Sequence, residues 1–285
     1  MKQAVFLVKA IDRAGLLTKI SGFFFENGLN ILHCQQYSDE LDGQYFMRAR
    51  VDISNLQMTR KDLRERFSCR MKEIGADHCE VHFMDEIPRV CIMVSKTSHC
   101  LYDLLTRRHD GDLVCEIPLI ISNHPDLENV ADKFQVPYFC VPIVNGDKAS
   151  QEAKIRTLLE QHHIDLVVLA RYMQVLSNEF CRDWERRIIN IHHAFLPAFQ
   201  GGNPYLRAWE RGVKMIGATA HYATPDLDEG PIIEQDVERV SHEDTPETLR
   251  QLGKDIERRV LTRAVKAHLN HCVIVSGRRT IVLSN

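Results

Sequence analysis

Hydrophobic positions along the chain fall into two successive rhythms. In the first, QAVFLVK (3–9), ILHCQQYS (31–38), QYFMRARVDI (44–53) and CEVHFM (79–84) read as strands rich in β-branched and aromatic residues. Leu16, Leu17, Ile20, Phe23, Phe24 and Phe25 form a helical stripe within 14–27, stopped by Asn27-Gly28. TRKDLRERFSCRMKEI (59–74) is a second amphipathic helix, closed by Gly75, whose charge run from Arg60 to Arg70 reads as a solvated face. The order is βαββαβ, a ferredoxin-like split βαβ unit, and it defines a first domain over 1–84.

Asp85-Glu86-Ile87-Pro88 breaks the pattern, so 85–88 reads as a linker and 89–285 as a second domain. There strands and helices alternate. RVCIMVS (89–95), CEIPLIISN (115–123), VPYFCVPI (136–143) and DLVVLA (165–170) are nearly continuous apolar runs, as parallel strands covered on both faces must be. Helical patterns over 99–111, 125–135 and 149–163 separate them. This predicts an α/β, doubly wound, Rossmann-like sheet. A long helix over 245–271 and a hairpin, CVIV and TIVL around Ser276-Gly277, follow.

Composition narrows the function classes. With 285 residues, 44% hydrophobic and 26% charged, the chain can fill two packed cores. A formal charge of -3 without a concentrated basic stripe argues against nucleic acid as a partner. No apolar stretch reaches the length of a membrane span, and MKQAVFLVKAIDRAG reads as a first strand rather than a signal peptide. The nine cysteines are scattered without a CxxC pair, which fits a reducing, cytoplasmic setting and excludes a thiolate zinc site.

The chemistry concentrates in IINIHHAFLPAFQGGNPYLRAWERGVKMIGATAHYATPDLDEGPIIEQD (188–236). Asn190, His192 and His193 follow Ile188-Ile189 at the carboxyl end of a short strand, where open α/β sheets bind ligands. Side chains alternate along a strand, so Asn190 and His192 share a face and His193 points away. ATAHYA (218–223) brings His221, and Asp226, Asp228 and Glu229 crowd the loop before Gly230-Pro231. An amide, an imidazole and a carboxylate suit attack on a carbonyl carbon: the amide donates to the oxyanion, the imidazole donates to it or shuttles a proton, and the carboxylate orients the imidazole and holds or deprotonates a water, the part expected of Asp228 with His192. No GxSxG occurs, so the nucleophile is water or a second substrate.

The order Asn190-Ile191-His192, LPAF (196–199), His221 and Asp228-Glu229-Gly230-Pro231 resembles the formyltransferases, which draw one carbon from 10-formyltetrahydrofolate. The resemblance covers roughly 88–285 and implies Asn190, His192 and Asp228 as the catalytic set. Within that fold the chain is most similar to the formyltetrahydrofolate deformylases. This rests on HHAFLPAF with GGNPY, on VLARYMQVLS (168–177), on SKTSHCLYDLL (95–105), and on the leading βαββαβ unit. That unit resembles an ACT domain, with the loop Asp12-Arg13-Ala14-Gly15-Leu16. The resemblance implies hydrolysis of 10-formyltetrahydrofolate to formate and tetrahydrofolate, feeding one-carbon and purine metabolism, with a folate as substrate and no separate cofactor or metal. Met173, Gln174, Val175 and Leu176, with Ala223 and Thr224 opposite, are implied as the pterin pocket. It further implies an amino-acid effector at the ACT-like domain and a homo-oligomer.

Four residues are expected to support the site: His193, His221, Lys96 and His99. The bulky Ser95-Lys96-Thr97-Ser98-His99, where phosphate-binding relatives carry glycines, is expected to block an acceptor and leave room for water. Burial beside the pterin slot is expected to raise Asp228 towards neutrality. Asp226 and Glu229 read as solvated loop charges. A formyl transfer enzyme with an amine acceptor, and an amino-acid sensor without catalysis, are the competing readings.

Overall fold

The computed structural model describes residues 2–197 and 204–283; Ala198, Phe199 and Gly201–Asn203 of the LPAF and GGNPY motifs lie outside them. Chain contacts divide the protein into two units. One comprises Met1–Ile87, Asn270–Ser276 and Ile281–Asn285; the other comprises Pro88–Leu269 and Gly277–Thr280.

The first unit contains β1 (Gln3–Ile11), α1 (Leu16–Glu26), β2 (Asn30–Asp39), β3 (Gln44–Asp52), α2 (Arg60–Glu73) and β4 (Ala76–Phe83). The strands form an antiparallel sheet in the order β2-β3-β1-β4. One face buries Ala4, Phe6 and Val8 against Phe23, Phe24, Leu63 and Phe67 of the two helices. Phe6 meets Phe24 and Phe67 edge-on, each at 4.9 Å between ring centroids, the geometry that aromatic quadrupoles favour. α2 starts at a capping box in which Thr59 and Asp62 satisfy each other's backbone N–H groups.

The other face of this sheet carries Val5, Leu7 and Phe46, which are equally apolar and need cover. The C-terminal hairpin supplies Ile274 and Leu283 there. Arg48, 1% exposed on the same face, donates from Nε to His271 O (3.0 Å) and from Nη2 to Asn270 O (2.9 Å). The expected boundary, with all of 89–285 in the second domain, therefore needs correction. Residues 270–276 and 281–285 group with the first unit because its sheet has two faces to bury.

The second unit runs β5 (Arg89–Val94), α3 (His99–His109), β6 (Glu116–Ser122), α4 (Glu128–Lys133), β7 (Tyr138–Cys140), α5 (Lys148–Gln161), β8 (Leu166–Leu169), α6 (Asn178–Asp183), β9 (Ile188–His192), α7 (Pro204–Arg211), β10 (Met215–Tyr222), β11 (Ile232–Arg239) and α8 (Pro246–Leu269); β12 (Val273–Ser276) and β13 (Arg279–Val282) make the terminal hairpin. Its sheet has the order β11-β10-β9-β8-β5-β6-β7, parallel from β9 to β7 and antiparallel at β10 and β11. The chain winds outward from β5 to β7, crosses back to β8 and winds the other way. β5 and β8 thus flank the switch point, where their carboxyl ends leave a crevice. All four residues of β8 are buried, as its LVVL sequence requires. Among the described residues, no helix is long and apolar enough to cross a membrane.

Candidate active site

β9 carries Asn190 and His192 on one face, and β10 runs antiparallel beside it with His221 opposite Asn190 and Thr219 opposite His192. Cross-strand partners project to the same side, so Asn190 and His221 meet: Asn190 Nδ2 lies 3.2 Å from His221 Nε2. Asp228 arrives from the loop between β10 and β11. The loop doubles back because Tyr222 N bonds Pro231 O (3.0 Å), and a Cβ on Gly230 would stand 1.7 Å from Tyr222 O, so only glycine fits. Asp228 itself sits at φ 58°, a left-handed conformation that Asp tolerates better than most residues.

The carboxylate bridges two imidazoles. Oδ2 lies 3.2 Å from His192 Nδ1 and Oδ1 3.5 Å from His221 Nε2. Hydrogen bonds from His192, then His221, outweigh burial and hold Asp228 well below the usual carboxylate range. The expected rise towards neutrality is thus reversed: the two imidazoles dominate over desolvation. His221 Nδ1 lies 3.0 Å from the Tyr222 carbonyl, and its Nε2 stands between the Asp228 carboxylate and the Asn190 amide.

These groups open into a cavity of about 570 Å³. Met173, Gln174, Val175, Leu176, Ala223 and Thr224 all line it, together with His99, His193 and Leu227. Met173 and Val175 are 59% and 55% exposed, so apolar surface stands open on the rim. Their loop is tied down where Ser95 Oγ accepts from Met173 N (2.9 Å) and donates to Asn123 Oδ1 (2.7 Å). Lys96 is exposed and lies outside the lining, so the structure does not bring it to the site. Asp226 and Glu229 are exposed, as expected.

His193 departs from the alternation argument. β9 ends at His192, the chain bends, and the His193 ring stacks on His192 with centroids 4.9 Å apart and planes 20° apart. Burial, then Arg171 and His192, push its imidazole down to about 4.

A second polar cluster, of which the sequence reading named only His99, lines the same cavity. Glu257 of α8 is 2% exposed. Its Oε2 meets His99 Nε2 at 2.7 Å and Arg171 Nε at 3.5 Å, while Oε1 accepts from the Tyr205 hydroxyl at 2.8 Å. Burial alone would push Glu257 up, but His99, Arg171 and Tyr205 together hold it below its ordinary value. The Tyr205 hydroxyl occupies the space beside Gly253, where a Cβ would stand 2.0 Å from it. Leu249, Gly253, Ile256, Glu257 and Val260 share the buried stripe of α8, so an acid and a glycine at helical spacing on an apolar face were the available signal. Among the described residues, His99, Cys100 and Glu257 bring three potential metal-ligand atoms within 4.8 Å of one another. There the histidine and acid already pair, and burial holds the thiol far above its usual value.

An amide, two imidazoles and a carboxylate at the carboxyl end of a doubly wound sheet, beside a mostly apolar slot, define a formyl transferase-type domain, here preceded by a βαββαβ unit. Two family models match accordingly: formyl transferase over residues 88–265 and ACT domain over 4–67. The chain is 48% identical to the formyltetrahydrofolate deformylase of Synechocystis over 99% of this chain and 98% of that protein. It is 44% identical to the one from Bacillus subtilis over 98% and 93%. The crystal structure of a formyltetrahydrofolate deformylase from Pseudomonas syringae superposes with a TM-score of 0.96 at 41% identity, covering 100% of this chain and 95% of that one. The chain belongs to the formyltetrahydrofolate deformylase family.

The Asp228 geometry carries a pH consequence. Its folded value lies below the unfolded one of about 3.9, so its contribution to stability is fully present above the unfolded value and is lost as pH falls through the folded one. Carboxyl infrared or carbon NMR signals of Asp228 are expected to stay ionised from pH 8 down to about pH 4. A midpoint between roughly pH 5 and 7 would contradict the bridge.

Proposed function

We propose that the chain hydrolyses 10-formyltetrahydrofolate to formate and tetrahydrofolate with Asn190, His192 and Asp228 as its catalytic set, water being the nucleophile. The hydrolase activity accords with family membership over nearly the whole chain. The observation that carries the residue roles is the carboxylate of Asp228 bridging His192 and His221, with Asn190 against His221.

With Nδ1 turned to Asp228, His192 presents Nε2, a buried atom without a hydrogen-bond partner among the described residues, for the substrate. Protonated, that nitrogen donates to the formyl oxygen and then to N10 as the C–N10 bond breaks. Asn190 Nδ2 lies against His221 Nε2, and the amide keeps an N–H available to the oxyanion. The pterin lies along Met173–Leu176 with Ala223 and Thr224 across from it, its flat ring covering the exposed Met173 and Val175. Nothing in this course calls for a metal or a further cofactor.

Water rather than an amine acceptor is favoured by the second cluster. His99 from the SKTSH segment and Tyr205 both engage Glu257, so the acids and bases that would grip a second substrate are already paired. An amino acid is the effector class that the ACT unit suggests, and a cytoplasmic setting suits nine free cysteines, three of them exposed. The antiparallel sheet leaves β2 and β4 as edges, and pairing of copies at such an edge makes a homo-oligomer the expected form.

Purified protein given 10-formyltetrahydrofolate alone is expected to release formate at the same rate with and without a chelator. Asn190→Ala is expected to lower kcat on the order of 10²–10³-fold, and loss of less than about tenfold would remove Asn190 from the oxyanion site. Light scattering at micromolar concentration is expected to report a mass above the 32.9 kDa of one chain; a monomer would contradict oligomerisation.

A further inference from the structure

Of two unpartnered nitrogens in this cavity, only one has a role in the course above. His192 Nε2 and His193 Nε2 are both buried and both lack a hydrogen-bond partner among the described residues. They belong to stacked rings, 4.9 Å apart, that line the same cavity. Buried polar atoms in folded proteins are nearly always satisfied by protein or water, so a pair of unpartnered nitrogens in a cavity wall marks where reactants bind. One of the two, on His192, serves the formyl group. The hydrolysis also needs a fixed water, and Asp228, expected to hold it, has both oxygens facing imidazole nitrogens.

We propose that His193 holds the nucleophilic water, its Nε2 accepting a hydrogen bond that aims an oxygen lone pair at the formyl carbon. The inference rests on the reading of Asn190, His192 and Asp228 given above. The two carboxylates of the cavity are already engaged, which favours His193 as the acceptor. Both oxygens of Glu257 are engaged, Oε1 by Tyr205 and Oε2 by His99 and Arg171. Both oxygens of Asp228 face imidazole nitrogens. His193 lines the same cavity as both clusters, within the electrostatic reach of Arg171, His192, Glu257 and Asp228. Burial, then Arg171 and His192, outweigh Glu257 and Asp228, so the His193 ring is neutral and keeps a lone pair at neutral pH. Stacking on His192 fixes the water relative to the group that holds the formyl oxygen.

The step balances. The water oxygen forms a bond to the formyl carbon, and the carbonyl electron pair moves onto the oxygen held by Asn190 and His192. Collapse breaks C–N10, N10 takes a proton from His192, and His192 regains one from the former water. The remaining acid proton goes to solvent as formate leaves. A neutral imidazole with a low proton affinity suits this role, since it orients the water and releases the proton onward.

His193→Phe keeps a ring for stacking but removes both nitrogens, and His193→Gln returns a polar atom near the Nε2 position. Formate release and transfer of the formyl group to added hydroxylamine are measured for both variants. Hydroxylamine is a stronger nucleophile that needs no held water. His193→Phe is expected to lower kcat for hydrolysis by about 10²-fold or more, with KM changed by no more than about threefold and hydroxylamine transfer kept within about threefold. His193→Gln is expected to recover at least about tenfold of the loss. Hydrolysis by His193→Phe within about threefold of the parent would overturn the proposal, as would equal falls of both reactions in both variants. Asn190→Ala is expected to lose both reactions together; if it keeps both, the underlying assignment of the oxyanion site fails instead.

Discussion

The site depends on one anion. The Asp228 carboxylate stands between His192 and His221, and each neighbouring group takes its orientation from it. It orders His192 through Nδ1 and so aims Nε2 into the cavity. On its other side it meets His221, whose Nδ1 faces the Tyr222 carbonyl and whose Nε2 lies against Asn190. A single hydrogen-bonded run therefore links the amide, two imidazoles and the carboxylate. A left-handed residue other than glycine costs on the order of 1–2 kcal/mol, and two charge-assisted contacts offset that cost.

The fold makes this arrangement affordable by pairing β9 with an antiparallel neighbour. A purely parallel sheet would end at β9 with only Asn190 and His192. Adding β10 puts His221 directly across from Asn190, and the return loop before β11 delivers Asp228 over both. The crevice at the β5–β8 switch point supplies the rest: Ser95 pins the Met173 loop, and Arg171, held at φ 64°, turns its side chain towards Glu257. The cavity thus has an apolar rim, one polar cluster around Asp228 and a second, already paired, around Glu257.

Much of this was legible in the residues. Continuous apolar runs such as VCIMV and LVVL announced buried parallel strands, and the NIH and DEGP motifs, through their resemblance to the formyltransferases, pointed to Asn190, His192 and Asp228. What failed did so for local reasons. His193 was expected to diverge from His192 because the strand was taken to continue, whereas β9 stops at His192. Asp228 was expected to rise with burial, because a sequence does not say that two imidazoles converge on it. Tyr205 and Glu257 escaped notice because their partnership spans α7 and α8, 52 residues apart. The domain boundary misplaced the C-terminal segment, although AVFLV in β1, apolar on both faces, already implied a sheet needing a second cover.

The central claim is that amide, imidazole and carboxylate act as one unit around the formyl carbon. A double-mutant cycle with Asn190→Ala and Asp228→Asn tests it directly through kcat for formate release. Residues acting together are strongly non-additive, so the double variant is expected to fall within about threefold of the weaker single variant. Losses that multiply across the two substitutions would show two independent groups and contradict the account.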